Sequence, residues 1–121
     1  MLEQAEIAAI VPVSEIDRAV EFYGNILGLK LVIRRDDMPQ NREAEFSAGG
    51  GALVAYESVA AGQSRGTIAG FRVDDPASAR EELIAAGCDV GELQQGETMQ
   101  WAYFQAPDGG WYEIYGPYTT L

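Results

Sequence analysis

Residues 13–29 read VSEIDRAVEFYGNILGL, and the reading of this stretch organises the rest of the chain. Ser14 offers a helix N-cap, Glu15 and Asp17 place acids in the first turn where the helix dipole favours them, and Gly28 supplies a stop. Between them Ile16, Ala19, Val20, Tyr23, Ile26 and Leu27 recur at helical spacing, so the stretch predicts one amphipathic helix. Before it, Glu6 to Val13 (EIAAIVPV) is apolar and β-branched enough for a strand, with Pro12 marking an edge or the strand's exit. After it, Leu29 to Arg34, Arg42 to Ser47 and Ala52 to Glu57 read as strands. Asp36 to Asn41 reads as a polar turn, and the Gly49-Gly50-Gly51 run as a hairpin turn.

The second half repeats this order. Thr67 to Val73 reads as a strand. Asp75-Pro76 opens a helix over Ala77 to Ala86, with Ala79, Leu83 and Ala86 as its inner stripe and Gly87 as its stop. Cys88 to Leu93 is strand-like, and the strands Met99 to Gln105 and Trp111 to Tyr115 flank the turn Pro107-Asp108-Gly109-Gly110. Placing Val13 over Val73 also aligns Ala19 with Ala79 and Glu21 with Glu81. The chain thus reads as β-α-β-β-β twice, in one domain over 1–121: module 1 about 5–58, a small, polar linker about 58–66, and module 2 about 67–117. One such unit exposes an apolar sheet face and does not stand alone. The expected fold class is α+β, two modules forming a curved sheet cleft with helices on the outside.

The chain's 121 residues fit one compact domain, and 47% apolar with 22% charged residues is an ordinary globular balance. No apolar run is long enough to span a membrane. The N-terminal stretch has early Glu residues and no basic region, so it reads as no signal peptide, and cytoplasmic residence is the expectation. Cys88 is the only cysteine, which excludes an intrachain disulfide; it reads as a small buried side chain. A net charge of -11 with eight Lys+Arg argues against nucleic acid and anionic membranes, and permits a cationic ligand drawn in by the field. The chain has no histidine, which removes Ser-His-Asp and Cys-His nucleophile systems and the histidine-based zinc and iron sites. Carboxylates and carbonyls alone would suit a hard ion such as Mg or Ca.

Residues 13–29, with their Phe-Tyr-x-x-x-Leu-Gly-Leu element, resemble the first strand-to-helix segment of the vicinal oxygen chelate superfamily, the fold of glyoxalases, bleomycin-resistance proteins and extradiol dioxygenases. Residues 106–114 (APDGGWYEI), with their Pro-Asp-Gly-x-x-x-Glu element, resemble its closing hairpin. The resemblance covers essentially the whole chain. Metal-dependent members hold a divalent cation with His or Glu from four strands. The resemblance puts those positions at Ala8, near Ala55 (with Tyr56 and Glu57 as neighbours), near Ile68, and at Glu113. Glu113 alone, or Glu113 with Glu57 if the register slips by two, is a ligand type, which would hold Mg or Ca only weakly, so no metal and no cofactor are expected.

Glu113 alternates with Trp111 and Tyr115 on one strand face, opposite to Tyr112 and Ile114. A carboxylate among aromatics reads as a general base, as an anchor for a cation, as a group satisfied by an arginine such as Arg72, or as a remnant with no chemistry. Trp101, Tyr103 and Trp111 offer a surface on which a flat apolar or cationic ligand can stack, and Phe46, Tyr56 and Glu57 are candidates for an opposite wall. The leading expectation is a binding protein that captures an aromatic or cationic molecule, resembling the antibiotic-sequestering members, which work as homodimers. The alternatives are a glyoxalase-like lyase or isomerase, with Glu113 as base or as ligand of a weakly held divalent metal, and an accessory domain whose dimer interface is its only role.

Overall fold

Residues 3, 4, 6–37, 42–64 and 66–117 are described by a computed structural model. The chain resolves into two compact units, Met1–Gly62 and Gln63–Leu121. Each is an α+β unit built on a four-stranded mixed sheet.

In the first unit, β1 (Ala8–Val13) runs parallel to β4 (Gly51–Glu57), and β2 (Lys30–Arg35) and β3 (Glu43–Ala48) continue the sheet antiparallel, in the order β1-β4-β3-β2. Strand alternation sorts the side chains. Val11, Val13, Ala44, Phe46, Leu53 and Ala55 are buried under the helix, where Ile16, Ala19, Phe22 and Tyr23 meet them. The expected single helix is α-helical only over α1 (Ile16–Ala19) and continues as a π-helical segment (Val20–Ile26). Its wider turn lets two adjacent residues, Phe22 and Tyr23, both reach the core, with rings edge to face at 5.1 Å. Gly28 ends the helix at φ 74°, a conformation that favours glycine.

Helix capping corrects the sequence reading. Ser14 does not cap α1: its hydroxyl accepts from Arg18 instead. The backbone N–H of Ile16 donates to Glu57 Oε2 at 2.9 Å, so the carboxylate that closes β4 caps a helix 41 residues away in sequence. Asp17, Asp36, Arg34, Arg42 and Glu57 form a connected ion-pair network at this end of the unit. Of the turn expected over 36–41, residues 38–41 lie outside the described residues.

The second unit repeats the design with β5 (Thr67–Arg72) parallel to β8 (Trp111–Pro117), β7 (Met99–Gln105) antiparallel to β8, and a short β6 (Gln94–Gln95), in the order β5-β8-β7-β6. Asp75 caps α2 (Pro76–Ala85) as expected, accepting from the Ser78 N–H at 3.2 Å with Pro76 in the first turn. Phe71, Phe104 and Tyr112 stack beneath it with centroids 5.6–6.3 Å apart. Ala79 and Leu83 are half-buried as an inner stripe, but Ala86 is exposed because the helix has ended. The strand expected over Cys88 to Leu93 is reduced to an isolated bridge from Val90 to Phe104. Arg80 on α2 donates to the Gly91 carbonyl at 2.7 Å, and the chain joins the sheet only at β6. Cys88 is buried, and that burial raises the pKa of its thiol, as its lack of any activating base suggests.

Candidate functional site

The β7–β8 ladder fixes which aromatics share a face. Trp101 stands opposite Tyr115, Tyr103 opposite Glu113, and Trp111 opposite Gln105. Gln100, Ala102, Phe104, Tyr112 and Ile114 point under the helix and are buried. Trp101, Tyr103, Glu113 and Tyr115 occupy the helix-free face and are half-buried, and Trp111 on the same face is 40% exposed. The period of two therefore divides these strands into an apolar core face and a face of four aromatics around one carboxylate. Both tryptophans of the chain lie there. Among the described residues, the side chains of Glu113, Trp101, Tyr103, Tyr115 and Arg72 make no hydrogen bond or ion pair, so Arg72 does not satisfy Glu113.

The first unit distributes its candidates differently. Phe46 packs at 0% exposure against Tyr23, with centroids 5.8 Å apart, and belongs to the core. Glu57 lies on the helix side of β4, held by the Ile16 N–H and by Arg42 at 3.7 Å. Neither is on the helix-free face, because strand parity assigns that face to Glu43, Glu45, Val54 and Tyr56. Tyr56 is thus the neighbour of Ala55 that takes the helix-free face, and Ala55 itself is buried.

The ladders also place the four positions at which the resemblance puts metal ligands. Ile10 pairs with Val54 as Gly70 pairs with Glu113, so Val54 is the first-unit counterpart of Glu113. Ile68 falls where the β5 register shifts, between Thr67 and Ala69. Ala8, Val54 or Ala55, and Ile68 offer no side-chain donor, and one carboxylate does not fit a divalent transition metal. Among the described residues no three His, Cys, Asp or Glu side chains group closely enough to hold a metal ion. The register shift at Ile68 and the reach of Glu57 to a distant helix had no signal in the sequence; the parity of β7 and β8 did.

Two β-α-β-β-β units, each a sheet with one face under its helix and the other turned away from it, define a two-module α+β protein. The chain belongs to the Glyoxalase/Bleomycin resistance protein/Dioxygenase superfamily, whose model matches residues 5–114. Its structure is similar to that of TnmS3, an antibiotic binding protein from Streptomyces sp. CB03234, at 23% identity over 98% of this chain and 99% of that one, with a TM-score of 0.82. It also resembles a glyoxalase/bleomycin resistance protein from the same strain (23% identity, 91% and 98% covered, TM-score 0.77). A domain of this superfamily from Frankia sp. EAN1pec matches at 18% identity, with 100% and 96% covered and a TM-score of 0.76. No curated protein sequence matches the chain. Among the described residues no helix is long and apolar enough to cross a membrane.

Proposed function

We propose that this protein binds a small aromatic or cationic molecule, such as an antibiotic, on the helix-free face of its second sheet, without a metal or other cofactor. The observation that carries the reading is Glu113, a carboxylate without a protein partner among the described residues, set among Trp101, Tyr103, Trp111 and Tyr115. Aromatic faces attract a cation with about 0.5–2 kcal/mol each, and a carboxylate beside them selects for positive charge over a neutral ring. The net charge of -11 raises the local concentration of such a ligand. Similarity to an antibiotic binding protein supports the ligand class. The working form is proposed as a cytoplasmic homodimer; sedimentation tests the dimer.

The reading is tested by thermal-shift screening against cationic glycopeptides, quinones and planar aromatic cations, alongside common metabolites. Stabilisation by the first group supports it, since a ligand at a hundred times its dissociation constant adds about 2.7 kcal/mol. Stabilisation by metabolites alone contradicts it. The same unpartnered Glu113 also favours a second reading, a lyase or isomerase with that carboxylate as base or as ligand of a weakly held divalent ion. Stoichiometric metal in the purified protein, or turnover abolished by Glu113→Gln, would establish this second reading in place of the first.

A further inference from the structure

On the helix-free face of the second sheet a position in the middle of the edge strand β5 has no side chain. Gly70 stands opposite Glu113 in the β5–β8 ladder, one step from Arg72 opposite Tyr115. Its backbone lies outside the left-handed region, so the conformation itself does not require glycine. What glycine supplies is space. A Cβ at this position would lie 2.9 Å from Tyr115 Cε1, 3.2 Å from Tyr115 Cδ1 and 3.3 Å from Glu113 Cγ. Both side chains of β8 therefore lean across the sheet and fill the volume directly above β5. The corresponding residue of the first unit is Ile10, opposite Val54 and 65% exposed.

We infer that Gly70 is the positioning residue of the ligand face: by carrying no side chain it brings the Tyr115 ring and the Glu113 carboxylate over β5 and sets the seat for a planar cation. The inference rests on the proposed function for its ligand, and on the geometry alone for the arrangement. The three atoms nearest to a methyl at position 70 all belong to side chains: two on the edge of the Tyr115 ring, which can rotate away, and Glu113 Cγ. It displaces Tyr115 without breaking the sheet. The cost then falls on binding, not on folding, and it passes mainly through Tyr115, the closer of the two side chains.

The test is a double-mutant cycle with Gly70→Ala and Tyr115→Leu, read in two ways. The first readout is calorimetric affinity for N-methylacridinium, a planar monocation. The second is the indole N–H resonance of Trp101, the cross-strand neighbour of Tyr115, compared with that of Trp111. Gly70→Ala is expected to weaken the probe on the order of tenfold, to move the Trp101 resonance, and to leave the unfolding midpoint in place. In the Tyr115→Leu background the same substitution is expected to leave the Trp101 resonance in place and to weaken the probe less, by what passes through Glu113 alone. An equal effect of Gly70→Ala in both backgrounds, or no effect on Trp101, overturns the role of Gly70. If the unaltered protein does not bind the probe, the proposed function loses its ligand class, and the Trp101 resonance still decides on Gly70.

Discussion

The two units share one plan and spend their equivalent positions on different tasks. Glu57 at the end of β4 corresponds to Gly116 at the end of β8, since Val13 pairs with Glu57 and the Val73 N–H bonds to the Tyr115 carbonyl just before Gly116. In the first unit this position carries a carboxylate that reaches under α1 and caps it. In the second, α2 is capped by its own Asp75, and the strand closes so tightly on the chain before the helix that a Cβ on Gly116 would lie 2.0 Å from the Val73 carbonyl oxygen. Val54 and Glu113 diverge in the same way, one apolar and one charged, and so do Ile10 and Gly70. One unit has an acidic and basic network at its helix end. The other has its aromatics, and a carboxylate unpartnered among the described residues, on the face away from the helix. The difference teaches that a repeated fold fixes where a side chain projects, and leaves what it does to the residue.

Substituting the matched pair gives the largest contrast. Gly116→Ala forces backbone apart and is expected to destabilise the protein by at least about 3 kcal/mol, or to prevent folding. Glu57→Ala removes one cap and is expected to cost about 1 kcal/mol. Urea unfolding measures both, and equal effects would erase the distinction between the two helix ends.

The next contrast concerns two aromatics that composition alone does not separate. Phe46→Ala is expected to lower stability by about 3–5 kcal/mol, through loss of a buried ring. Trp111→Ala, at 40% exposure, is expected to change stability by less than about 1 kcal/mol and to weaken an aromatic cation several-fold. Reversal of these two outcomes would move the ligand face to the first unit.

The smallest effect is electrostatic. Arg34 beside them holds the carboxyls of Asp17 and Asp36 below the usual carboxylate range, through hydrogen bonds to each. A group with a lowered folded-state pKa binds its proton more weakly when folded. Its contribution is therefore present above the ordinary carboxylate pKa of about 4 and is lost as pH falls below that value. These groups are solvent-exposed, so the contribution is small and screened by salt. Removing the network with Arg34→Gln is expected to flatten the acid limb of the stability profile slightly at low ionic strength and to leave it unchanged at high salt. An equal change at both salt concentrations would contradict the assignment.

Local chemistry was legible in the sequence. Gly28 and Gly87 at their positive φ values, Asp75 as cap, and the division of Trp111, Glu113 and Tyr115 from Tyr112 and Ile114 all follow from a residue and its near neighbours. What escaped the sequence depends on pairing between distant segments. Glu57 reads as a cleft residue until β4 is set beside α1, and Phe46 reads as an available aromatic until the parity of β3 is fixed by Ala44 and Ala55. The π-helical segment is set by tertiary packing of Phe22 and Tyr23 on the sheet, to which a periodicity of 3.6 is blind.

The central claim is that Glu113 and the aromatics around it select a planar cation without a metal. It is tested most directly by calorimetric titration of metal-stripped protein with N-methylacridinium and with neutral acridine, for the unaltered chain and for Glu113→Gln. The expected result is that removing metal leaves affinity unchanged, and that Glu113→Gln weakens the cation on the order of tenfold while leaving the neutral ring nearly unaffected. Binding that disappears with the metal, or a substitution that weakens both probes alike, would contradict it.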